Sequence, residues 1–182
     1  MKGLSVAHNR FYSLTAAIVL LLAALAMPRA SHAQAAVYGE FSVTDMHNLV
    51  FTDQLYGATT GVLIDGPTFH HIVLSGDIQG RFVHKSGEDL DGATIGPRFT
   101  VMMKHGWAPY GEFMVGFARY NKVNYASATS DSTIQANAGV GKRISPRFDL
   151  VADYSYSQYY ALGGQFNPKT LSVGTIFHFV KR

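Results

Sequence analysis

From Val37 onward, apolar and polar residues alternate with a period of two. Phe148, Leu150, Ala152, Tyr154 and Tyr156 fall on one side of their segment, and Asp149, Asp153, Ser155 and Ser157 on the other. That is the pattern of an extended strand with one apolar and one wetted face. The same opposition sets Ile134, Ala136, Ala138 and Val140 against Gln135, Asn137, Gly139 and Gly141. It also sets Ile72, Leu74, Ile78 and Phe82 against Ser75, Asp77, Gln79 and Arg81, and Ala93, Ile95, Phe99, Val101 and Met103 against Thr94, Arg98 and Thr100. The alternation predicts eight strands, over residues 36–46, 54–64, 69–83, 91–103, 108–122, 132–144, 147–158 and 169–180. Short turns are expected at Asp65-Gly66-Pro67, around His105-Gly106-Trp107 and at Ser145-Pro146, with longer polar loops near Asn48, Gly87, Ser127 and Gly163. An even number of strands, with short turns at one end and longer loops at the other, predicts an all-β fold: an antiparallel up-and-down transmembrane barrel with its termini on the short-turn side.

The first 33 residues read differently. Lys2 and Arg10 give a basic start, Ala16 to Met27 is an unbroken apolar run, and small residues follow at Ser31, Ala33 and Ala35. The run is shorter than the roughly 20 apolar residues a spanning helix needs, so residues 1–33 are expected to be a cleavable signal peptide and residues 34–182 the barrel domain. Removing Lys2, Arg10 and Arg29 brings the net charge of +3 to zero. The basic balance therefore belongs to the leader and gives no reason to expect nucleic acid as a partner. The absence of cysteine excludes thiol catalysis and cysteine-ligated metal. Charged residues make up 15% of the chain and aromatic residues 13%, whereas a soluble domain carries about 25% charge. That imbalance suits strands that face lipid on one side.

Aromatic residues on the apolar parity are expected to form two interfacial girdles. Phe41, Phe99, Phe113, Phe148, Phe177 and Phe179 would stand near the short-turn ends, and Tyr56, Phe82, Tyr154 and Tyr156 near the opposite ends. The chain closes on Ser172-Val173-Gly174-Thr175-Ile176-Phe177-His178-Phe179. This resembles the C-terminal insertion signal of outer-membrane barrels, in which a polar residue, a glycine and two alternate aromatics are spaced as Ser172, Gly174, Phe177 and Phe179 are here. With Gly96-Pro97-Arg98-Phe99, Ala108-Pro109-Tyr110 and Asp153-Tyr154-Ser155-Tyr156, residues 34–182 resemble the small eight-stranded OmpA-like and OmpX-like outer-membrane barrels over nearly their full length. Val180, Lys181 and Arg182 follow Phe179, where members of that group commonly end on the aromatic, and no peptidoglycan-binding domain is evident. The resemblance implies a monomeric barrel in the Gram-negative outer membrane, surrounded by lipid and lipopolysaccharide, inserted by the barrel-assembly machinery and needing no cofactor. Any extracellular partner would meet the loops, whose sequences do not reveal it.

An eight-stranded barrel has room inside only for side chains, so the inward charges should form a plug. By parity these are Glu40, Asp77, Arg81, Arg98, Glu112, Arg143, Asp149 and Asp153. The expected hairpins bring Asp77 near Arg98, Arg98 opposite Glu112, and Arg143 near both Glu112 and Asp149, a network of alternating sign. Two other functions fit the same strand count. Some eight-stranded barrels alter the acyl chains of lipid A, and His84, Ser86 and Glu88 form a His-x-Ser pattern with an acidic residue beyond. It falls in a predicted loop, and the residue after the serine is Gly87, so no catalytic residue is assigned. A soluble lipocalin-like binder would use the same alternation with the apolar face inside. His70 and His71 point to opposite faces of a strand and cannot share a metal, and His178 is expected in the plug.

Overall fold

The computed structural model describes residues 34–46, 54–122, 129–161 and 164–180. The predicted leader lies outside them, as do the loop positions Asn48, Ser127 and Gly163. The strands are β1 (Ala35–Asp45), β2 (Gln54–Phe69), β3 (Ile72–Lys85), β4 (Glu88–Val101), β5 (Trp107–Lys122), β6 (Thr129–Arg143), β7 (Phe148–Ala161), a short β8 (Gly164–Phe166) and β9 (Lys169–His178). Each of β1 to β7 pairs antiparallel with the next, and β9 pairs with both β7 and β1. The eight long strands therefore form a closed barrel, with β8 paired only to β7. Those eight contain 10 to 16 residues each, enough for a tilted strand to cross a bilayer, which takes about 9–11.

Two turns differ from expectation. Asp65-Gly66-Pro67 does not reverse the chain: β2 runs on to Phe69 through a bulge between Asp65 and Thr68. The bulge accommodates Pro67, which has no N–H for a ladder, while the Asp65 carboxylate accepts the Ser75 hydroxyl at 2.8 Å. The reversal is made by His70 and His71, with His70 at φ 57°. At Gly87 the expected long loop is a two-residue turn. Lys85 stands opposite Glu88, and Ser86 and Gly87 take φ values of 23° and 91°, the double positive φ that matches a turn to the twist of its strands.

The barrel is inverted relative to a soluble one. Phe41, Ile78, Phe82, Ile95, Phe117 and Leu171 are all more than half exposed, while Glu40, Asp77, Arg81, Arg98, Glu112, Asp149 and Asp153 are buried inside. A lipocalin-like arrangement, with the apolar face in the lumen, is excluded by this distribution. Soluble monomers rarely expose contiguous apolar patches beyond a few hundred Å². The lumen is not polar throughout, however. Ala36, Tyr38, Leu63, Tyr110, Val151 and Ile176 fill the short-turn end, and Leu55, Val83, Leu90, Ala118 and Tyr159 fill the opposite end, with Met46 and Tyr120 packed against them.

The aromatic girdle at the short-turn end is narrower than expected. Phe148 and Phe177 lie with ring centroids 5.1 Å apart, Phe179 meets Phe177 edge-on at 5.5 Å, and Phe99 stands on the same end. Phe41 and Phe113 are instead mid-strand, opposite Val173 and Ala136, within the exposed apolar band. Parity put them on the correct face, but height depends on where each strand begins.

Candidate functional site

Between the two apolar ends lies a layer of charge. Glu112 follows Tyr110 on β5 by two residues, and β4 places Arg98 directly opposite it. The Arg98 Nε forms an ion pair with Glu112 Oε1, both side chains being at most 5% exposed. Asn137, opposite Glu112 on β6, donates to Glu112 Oε2 at 2.6 Å. The guanidinium lies 3.7 Å from the centroid of the Tyr110 ring and 5.9 Å from that of Tyr38, so two π faces supplement the one carboxylate.

The tyrosines bring the remaining carboxyls into this layer. Tyr38 donates its hydroxyl to Asp77 at 3.0 Å and receives the Gln79 amide at 3.1 Å. Tyr110 donates to Asp153 at 3.0 Å. Each ring lies flat across a glycine on the next strand: Tyr38 stands opposite Gly61 and Tyr110 opposite Gly139. A Cβ at either glycine would come within 2.4 Å of the ring, so no other residue leaves the aromatic that place.

Arg81 occupies the next level toward the loops. It donates to Ser155 at 2.9 Å and to Thr59 at 3.3 Å, and it reaches Gln79 at 3.5 Å. Gln135 donates to Gln79 at 2.7 Å and accepts from Ser157 at 3.2 Å. Ser42 bonds Thr59 and Ser172, and Thr44 bonds Thr170. At the short-turn end, Asp149 takes His178 at 2.9 Å and faces Arg143 at 3.8 Å.

The expected alternation of sign is found in part: Arg98 meets Glu112 and Arg143 faces Asp149, but the step from Glu112 to Arg143 is not made. Glu40, Asp77, Glu112 and Asp153 share their part of the lumen with Arg98, tyrosine hydroxyls donate to Asp77 and Asp153, and the Asn137 amide stands where Arg143 was expected beside Glu112. Asp77, opposite Gly96, stands diagonally across from Arg98, and the two charges interact as expected. Arg143 is opposite Asp149 and six positions from Asn137, the residue facing Glu112, so the expected Arg143–Glu112 proximity does not occur. Tyr38 and Tyr110 were not anticipated as network members. The signal for them is a repeat: Tyr38-Gly39-Glu40-Phe41 and Tyr110-Gly111-Glu112-Phe113 occupy equivalent places on β1 and β5. The two halves differ in one respect. Opposite Glu112 stands Arg98, whereas opposite Glu40 stands Gly174 of β9.

In the closing segment, Ser172 and Gly174 face the lumen while Phe179 is exposed on the outer wall. At the loop-end rim, the His84 Nδ1 contacts the Asp89 carboxylate across the Ser86-Gly87 turn. Glu88 instead accepts the Tyr120 hydroxyl at 3.3 Å. Among the described residues no three of His, Asp and Glu converge in a metal-binding arrangement.

This closed antiparallel barrel, with an apolar wall and a charged, filled interior, has the fold of the small eight-stranded outer-membrane proteins. Neisserial surface protein A aligns with a TM-score of 0.62 at 14% identity, over 80% of this chain and 97% of its own. Ail, the attachment invasion locus protein of Yersinia pestis, aligns with a TM-score of 0.55 at 13% identity, over 81% and 99%. The outer membrane enzyme PagL aligns at 0.51 with 11% identity, over 78% and 98%. No protein-family model and no curated protein matches the sequence.

Proposed function

We propose that the chain is an outer-membrane protein of structural or surface-interacting type, exported by the leader at residues 1–33 and held in the bilayer as a closed monomeric barrel. The observation that carries this reading is the inverted distribution of side chains: Phe, Ile and Leu on the wall, and an ion-paired layer capped by apolar residues within. Lipid and lipopolysaccharide are the wall's partners, and Ser172, Gly174, Phe177 and Phe179 serve recognition by the assembly machinery. A lumen filled in this way has no continuous wetted path. Reconstituted in a planar bilayer, the folded protein is expected to give no steady conductance. Regular open-channel steps would contradict the sealed lumen.

One observation favours a second reading. His84 has a carboxylate partner in Asp89, two residues from the Ser86 hydroxyl, and PagL shares the fold. An esterase needs the base within hydrogen-bond reach of its serine, and no hydrogen bond joins Ser86 to His84 among the described residues. The folded barrel should therefore leave lipid A acyl chains intact. Time-dependent acyl loss that disappears in Ser86→Ala would move the protein to the enzyme class.

A further inference from the structure

The two rims of the barrel carry different charge. At the loop end, Asp45, Glu88, Asp89, Asp91 and Asp131 mingle with Lys85, Arg119 and Lys169. At the short-turn end, Lys104, His105, Lys142, Arg143 and Arg147 come from two neighbouring turns on either side of the β5–β6 pair. The carboxylates described there are Asp149, buried and facing Arg143, and Asp65, half-buried on the β2 bulge. Lys104 and Arg147 are exposed.

These cations surround an apolar surface. Trp107, Met103, Ile144 and Phe148 are each roughly half exposed or more. Lys142, opposite Trp107, holds its ammonium 4.8 Å from the indole centroid while donating to the His105 carbonyl at 2.5 Å. His105 and Gly106 take positive φ, which folds their turn tightly. The ammonium is thus fixed at the height of an aromatic girdle, where a phospholipid phosphate lies above its acyl chains.

We propose that this patch is a binding site for anionic phospholipid headgroups of the facing leaflet, with Lys104, Lys142 and Arg147 receiving the phosphate and Trp107, Ile144 and Phe148 contacting the glycerol and upper acyl region. The proposal rests on the membrane reading above. Charge complementarity selects the lipid, because among the described residues the carboxylates at this end are Asp149, paired with His178 and Arg143, and Asp65, bonded to Ser75 on the β2 bulge, while the opposite rim offers both signs. A juxtamembrane cation contributes about five-fold to association with an anionic surface.

The test is native mass spectrometry of the folded full chain in detergent, titrated with phosphatidylglycerol or with phosphatidylcholine of the same acyl chains. Phosphatidylglycerol should be retained preferentially. Lys104→Gln, Lys142→Gln and Arg147→Gln should each lower its retention about five-fold, and the triple variant should lose the preference. Lys85→Gln with Lys169→Gln, at the other rim, should leave it unchanged. Folding of each variant is read separately from a heat-dependent shift on an unboiled gel. A chain that yields no such folded species would overturn the membrane reading and the site together. A folded barrel that retains both lipids equally, or whose preference survives the triple substitution, would overturn the site alone.

Discussion

Arg98→Met is expected to destabilise the folded barrel by about 3–5 kcal/mol, the range found when one partner of a buried ion pair is removed. The guanidinium is at most 5% exposed, pairs with Glu112 and lies against the Tyr110 ring. Methionine matches much of its length but supplies no charge, leaving Glu112 without its ion-pair partner and Glu40 and Asp77 without the Arg98 charge. Arginine suits the position because its planar fork can meet a carboxylate at its edge while its face stacks on an aromatic ring. Glu112→Gln should destabilise the parent and have a smaller effect in the Arg98→Met background. Unfolding in urea, followed for the two single variants and the double variant, measures the coupling. Strict additivity would mean that the two residues do not interact.

Gly139→Val is expected to be comparably damaging, for a steric reason. A Cβ at Gly139 would fall 2.4 Å from Tyr110 and 2.7 Å from the Asp153 Cβ. The ring would have to leave the strand surface, and with it the hydrogen bond to Asp153 and the stack on Arg98. Overpacking alone costs about 1–3 kcal/mol, and loss of the buried hydrogen bond adds about 1–3 more. Gly76→Val provides the contrast. Gly76 lies on the wall with nothing within 4 Å of a Cβ, and valine favours an extended backbone, so the change should stay within about 0.5 kcal/mol. Equal effects at the two sites, read as unfolding midpoints under one set of conditions, would show that the tyrosine–glycine contact does not organise the lumen.

Much of the fold was legible because alternation is a local property. Parity alone put Asp77, Arg81, Arg98 and Glu112 on one face and Ile78, Phe82, Ile95 and Phe113 on the other. It could not say which face is inside, since a soluble barrel has the same period with the opposite filling. Cross-strand partners were harder, because they depend on where the chain reverses. A reversal centred near Ser127 would have brought Glu112 toward Arg143, but Tyr120 already faces Thr129, and that earlier reversal gives Glu112 the amide of Asn137. The bulge at Pro67 shifted the first turn in a similar way, since a residue left out of the ladder displaces everything beyond it. The tyrosines were missed for another reason. Their rings count as apolar in an alternation pattern, and only the paired Tyr-Gly-Glu-Phe segments point to their hydroxyls meeting Asp77 and Asp153.

Whether this barrel crosses an outer membrane is decided by fractionation of Gram-negative cells expressing the full chain, followed by electrophoresis with and without boiling. The protein is expected to sediment with the outer membrane, shortened by a leader of about 33 residues, and its unboiled form to migrate apart from the boiled one. Recovery in the soluble periplasmic fraction, with identical migration before and after boiling, would contradict it.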